Sequence, residues 1–202
     1  RQRQMCIRDR ILMVQGLVNS FGTIVMAAFS AAVKIDSFAY MPVQDFGNAF
    51  STFVAQNYGA GKKERIREGI KSAVLLVCIF CLVISAGVWI FAKPLLLLFI
   101  KPQETEILAV GISYLRIEGS FYCLIGFLFL FYGFYRAVKM PGMSVILTAA
   151  SLGSRVVLAY ALSAVPQIGV TGIWAAVPIG WLLADGIGYI YMKKKFLKKR
   201  TA

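Results

Sequence analysis

Long apolar stretches separated by short basic loops fill almost the whole of this chain, and they leave few folds open to it. Residues 11–33, 38–58, 70–100, 107–135, 142–163 and 169–192 each approach or exceed the roughly 20 apolar residues that carry a helix across a bilayer. A soluble domain of 202 residues needs polar helix faces, and these stretches lack them. With 59% hydrophobic and 15% charged residues and a mean hydropathy of +0.73, the chain reads as an all-α integral membrane protein of six transmembrane helices.

The net charge of +13 would suggest nucleic acid if the basic residues formed a stripe with aromatics between them, and they do not. Arg1, Arg3, Arg8 and Arg10 precede the first stretch, and Lys62, Lys63, Arg65, Arg67 and Lys71 follow the second. Arg136 and Lys139 follow the fourth, and Lys193, Lys194, Lys195, Lys198, Lys199 and Arg200 follow the sixth. The alternate loops hold only Lys34, Lys93 and Lys101. This sorting is the positive-inside pattern, so both ends are expected in the cytoplasm, with an even number of crossings between them. Anionic headgroups are a further expected contact of the basic loops.

Enzyme chemistry has little to stand on. The chain has no histidine, hence neither the commonest general base nor the commonest metal ligand. Cys78 and Cys81 form a C-x-x-C inside an apolar stretch, where a thiol acts as a small hydrophobe rather than a redox group. Tyr58-Gly59-Ala60-Gly61-Lys62-Lys63 lacks the first glycine and the Ser or Thr of a phosphate loop. Arg1 to Arg10 has neither an apolar period nor a signal-peptide shape. Residues 1–10 are read as a non-native tail of the sequencing-artefact kind, and 11–202 as the folded unit.

Ionisable and amide groups inside apolar stretches are costly, so they are the candidates for function. Asp45 and Arg155 are each expected about 10–12 Å from the outer surface on the second and fifth stretches, deep enough to pair. Asp185 lies about two turns from the inner surface, as a proton or cation carrier or as a contact to a basic loop. Gln15, Asn19, Gln44, Asn48 and Gln56 either line a path or knit helices together. Arg116 and Glu118 are expected near the outer interface, on different faces of one long helix over 107–136. Pro42 is expected at a helix start, and Pro178 in a kinked helix. The third stretch, apolar all round, is expected to face lipid.

Gln15-Gly16-Leu17-Val18-Asn19-Ser20-Phe21-Gly22, with Lys34-Ile35-Asp36 and Met41-Pro42 after it, resembles the multidrug and toxic compound extrusion (MATE) family of efflux transporters. The most family-specific stretch is Ser51-Thr52-Phe53-Val54-Ala55-Gln56-Asn57-Tyr58-Gly59-Ala60-Gly61-Lys62. Arg136-Ala137-Val138-Lys139-Met140-Pro141 looks like the link after the tenth helix, and Gly169 to Trp174 with Pro178 to Trp181 resembles the final helix. The resemblance covers 11–202 and implies the C-terminal six-helix lobe, helices seven to twelve, of a two-lobe transporter whose N-terminal lobe is missing. It further implies export of cationic or amphipathic drugs in exchange for H+ or Na+ from the plasma (inner) membrane of a prokaryote. The partners are then drugs or toxic cations, the bilayer and the other lobe, with no cofactor beyond the coupling ion. Some family members use an acid in helix seven and another in helix ten. Here the corresponding stretches offer Gln15 and Asn19, and no acid mid-way along the fourth. That leaves sodium, and a proton carried by Asp45, by Asp185 or by the absent lobe, as equal expectations.

Two other readings compete. A lipid-linked oligosaccharide flippase of the same superfamily needs a strongly cationic cavity, and only Arg155 sits well inside a stretch. A non-transporting membrane scaffold needs apolar or small-residue helices, which the polar second stretch is not.

Overall fold

A computed structural model of the chain describes residues 14–165 and 168–197, so the expected tail at 1–10 lies outside the described residues. The elements are α1 (14–20), α2 (Thr23–Gly59), α3 (Lys63–Leu97), α4 (Thr105–Gly119), α5 (Tyr122–Ala137), α6 (Pro141–Ser163) and α7 (Val170–Met192), with a π-helical turn at Lys193–Leu197. Among the described residues α2, α3, α6 and α7 are long and apolar enough to cross a bilayer, and α4 with α5 forms a fifth crossing bent by 53°. With α1 they make six rods, but the rods are cut where the hydropathy pattern did not cut them.

The expected loop at 34–37 does not exist. α2 runs through it as one helix of 37 residues, about 55 Å long, with Pro42 in its interior rather than at its start. The buried residues Val25, Ala28, Ala32, Ile35, Val43, Gly47, Phe50, Val54 and Asn57 fall three, four or eight residues apart, which keeps one face turned inward from end to end. The break falls instead at Gly22, whose φ of 102° suits a residue without a Cβ. Lys34, expected in an outer loop, sits mid-helix with its ammonium 5.6 Å from the Phe99 ring.

The long helix expected over 107–136 is two. Gly119 and Ser120 mark the bend, and the Ser120 hydroxyl donates back to the Arg116 carbonyl at 2.6 Å. In α3 the helical dihedrals fail at Phe91, three residues before Pro94. α7, in contrast, is continuous through a buried Pro178. α3 exposes Leu75, Ile79, Leu82, Val83 and Ile90 along its length, a surface suited to lipid.

Small residues set the rod spacing. On α7, Gly172, Ala176, Gly180, Ala184 and Gly188 recur every four residues and all are buried. A Cβ on Gly180 would stand 2.7 Å from the Ser151 carbonyl oxygen of α6, so α6 and α7 touch backbone to backbone. A Cβ on Gly133 of α5 would collide with the Gly47 carbonyl oxygen of α2. Basic residues cluster at one end of the rods: at the α2–α3 turn, at Arg136 and Lys139 after α5, and at Lys193 and Lys194 after α7. The α2–α3 hairpin reaches past the rest of this basic end. Arg136 bonds to Asn48, and about 16 Å of α2 lies beyond that level.

Candidate functional site

The bend in α4–α5, the unbroken α2 and the far half of α6 enclose a cavity of about 240 Å³. It is walled by Asp36 of α2, Tyr114 and Glu118 of α4, Arg155 of α6, and Trp174 and Trp181 of α7, with Gln15 of α1 at its edge. Asp36 and Glu118 are 3% and 2% exposed. Tyr122, first residue of α5, donates its hydroxyl to Asp36 Oδ1, so the residue after the bend holds the carboxyl of α2. Tyr114 lies one turn before Glu118, beside both carboxyls. Tyr114 also packs edge-on against Trp174 at 4.9 Å, and Phe29 stacks on the same indole at 5.5 Å.

The charges oppose without touching. Arg155 lies near enough for its charge to act on Glu118, yet no ion pair joins the two among the described residues. Its guanidinium carbon stands 5.8 Å from the Trp181 ring centre, the geometry of a cation over an aromatic face. Glu118 Oε1 and Arg155 Nε are buried without hydrogen-bond partners in the protein. Buried polar atoms of this kind are costly and mark sites where something polar is exchanged. Tyr122 lies about 21 Å along α5 from Arg136, which puts the cavity in the half of the bilayer away from the basic end.

The sequence-based candidates scatter. Arg155 and Gln15 reach the cavity. Asn19, one turn from Gln15, is exposed. Asp45 is exposed and near the level of Asn48 at the basic end, whereas Arg155 is about 21 Å from the start of α6. The two are therefore about 16 Å apart along the rods, and the expected Asp45–Arg155 pair does not form. The expected depth of Asp45 was counted from residue 38, whereas α2 begins at Thr23. Asn48 accepts a hydrogen bond from Arg136 Nη2 at 2.7 Å and so knits α2 to α5. Gln44 and Gln56 are exposed on α2. Asp185 is buried in α7, about 12 Å from Lys193, with neither carboxylate oxygen bonded. Arg116 does separate from Glu118 as expected: it faces out and lies over the Trp89 ring at 4.7 Å.

Asp36 and Glu118 were the residues missed. Their signals were present: no Gly or Pro interrupts 23–41, so Asp36 had to be inside a helix, and Gly119-Ser120 beside Glu118 is a bend signature.

The model of the family described as MatE matches residues 11–161. The chain belongs to the MatE family. Its curated relatives include the probable multidrug resistance protein YpnP of Bacillus subtilis, 29% identical over 193 residues, covering 95% of this chain and 42% of that protein. Another is an FAD transporter of Shewanella oneidensis, 28% identical over 173 residues, covering 84% of this chain and 37% of that protein. Among solved structures, a MOP superfamily transporter from Pyrococcus furiosus superposes with a TM-score of 0.90 at 20% identity, covering all of this chain and 45% of that one. The MatE chain thus spans less than half the length of the relatives it matches. Its helices pack as one lobe of such a transporter, and the family is one of multi-pass membrane transporters rather than enzymes.

Proposed function

We propose that this lobe supplies the coupling site of a proton-driven antiporter that exports cationic or amphipathic compounds across a prokaryotic inner membrane. The observation that carries the proposal is the burial of Asp36 and Glu118 together in one cavity with Arg155. Among the described residues that wall the cavity, the carboxyls are the side chains that take up a proton from an ionised form. A buried carboxylate is costly unless a cation stands near it, so protonation and a cationic cargo compete for the same charge. The arginine beside the two carboxyls repels a bound sodium ion, which favours a proton.

The remaining candidates take lesser parts. Gln44, Asp45 and Gln56, exposed along one side of α2, line the path between this lobe and its partner lobe. Asn48 and Arg136 hold that side in place. The basic end faces the cytoplasm by the positive-inside rule, so the cavity lies in the outer half of the bilayer.

The test uses the full-length transporter, reconstituted with an imposed pH or sodium gradient. Asp36→Asn and Glu118→Gln each abolish proton-driven drug efflux, while Glu106→Gln, exposed in the first turn of α4, leaves it within about twofold, the scale of an unchanged barrier. Undiminished efflux in both cavity variants, or efflux driven by sodium alone, would overturn the reading.

A further inference from the structure

A second groove runs along the seam between α2 and α3, away from the carboxyl cavity. Its basic-end part, about 670 Å³, is walled by Phe46, Phe50 and Phe53 of α2 and Leu76 of α3, with Arg65 and Glu68 at the hairpin tip. A second hollow of about 260 Å³ shares Phe46 and Leu76 and continues to Pro42 and Phe80 with apolar walls. From Glu68 to Phe80 the seam is about 18 Å long. It is charged only at the end that projects past Arg136 and apolar where it enters the bilayer. That polarity and length match one acyl chain with its headgroup.

The seam lies on the opposite side of α2 from its polar row. On α2, Phe46, Phe50 and Phe53 turn toward α3, whereas Gln44, Asn48, Thr52 and Ala55 lie about half a turn round the helix. α3 continues the seam into its exposed apolar surface. The charged end carries one cation and one anion a single turn apart, and no ion pair joins Arg65 to Glu68 among the described residues. Their charges fit a headgroup bearing both a phosphate and a hydrogen-bond-donating ammonium.

We propose that the α2–α3 seam is a binding site for a phosphoethanolamine-headed phospholipid, its phosphate on Arg65, its primary ammonium on Glu68, and one acyl chain along Phe46 and Leu76. A primary ammonium donates hydrogen bonds to a carboxylate, and the quaternary ammonium of phosphocholine does not.

The test is native mass spectrometry of the full-length transporter titrated with phosphatidylethanolamine, phosphatidylcholine or phosphatidylglycerol. Phosphatidylethanolamine binds tightest, and Arg65→Gln and Glu68→Gln each weaken it about tenfold, the scale of one hydrogen bond to a charged group. Both side chains are exposed, so the variants fold. Equal retention of all three lipids overturns the proposal. So does a preference for phosphatidylglycerol that Glu68→Gln leaves intact, which would mean an anionic-lipid surface only. Drug efflux is a separate readout, so this site and the carboxyl cavity stand or fall independently.

Discussion

Replacing Tyr122 by Phe removes a single oxygen, the one that ties α5 to α2 across the bend. Both partners are buried, with Tyr122 at 2% exposure, so water cannot replace the lost donor. Leaving a buried acceptor without its partner costs about 1–3 kcal/mol. Hydrogen bonds between transmembrane helices average about 0.6 kcal/mol and reach about 1.7. Asp36 keeps Tyr114 as a neighbour, which pulls the expected loss toward the lower end, about 1–1.5 kcal/mol. The assay is a double-mutant cycle with Asp36→Ala, read from the unfolding of the full-length transporter in detergent micelles as sodium dodecyl sulfate is raised. In the Asp36→Ala background Tyr122→Phe should cost little, because its partner is already gone. Single costs that simply add, to within about 0.3–0.5 kcal/mol, would refute the contact.

Close helix packing gives a second test. Gly133→Ala forces a methyl against the Gly47 carbonyl and should lower stability by about 1–3 kcal/mol, whereas Gly186→Ala meets open space and should be neutral or raise it by up to about 1 kcal/mol. Equal effects on the unfolding midpoint would contradict the α2–α5 contact. Asp185→Leu should stabilise the lobe by about 1–3 kcal/mol, since both carboxylate oxygens are buried without hydrogen bonds. A loss of stability on thermal denaturation would mean that Asp185 has a partner.

The helical membrane class and the exposed apolar surface of α3 were legible in composition and spacing. Rod boundaries were less so, because charge was taken as the mark of a loop. Lys34-Ile35-Asp36-Ser37 looks like a polar link, yet nothing in it breaks a helix, while Asn19-Ser20-Phe21-Gly22 just upstream does. That one displacement moved Asp36 from a loop into the cavity and Asp45 from the far half of the bilayer to the basic end. Glu118 was hidden for another reason. Its depth was measured along a straight helix, whereas α4 and α5 meet at a 53° bend whose α4 side walls the cavity with α2, α6 and α7. Arg155 was found because it stands alone in an otherwise uncharged helix. A charge with no local explanation is visible in one dimension, but its partner on another rod is not.

Drug binding and proton release are linked in an antiporter whose two ligands share one site. Adding a cationic substrate to purified full-length transporter in weakly buffered detergent should therefore acidify the solution. The Asp36→Asn/Glu118→Gln variant should release no protons. Release of undiminished size from that variant would contradict the assignment of coupling to this cavity.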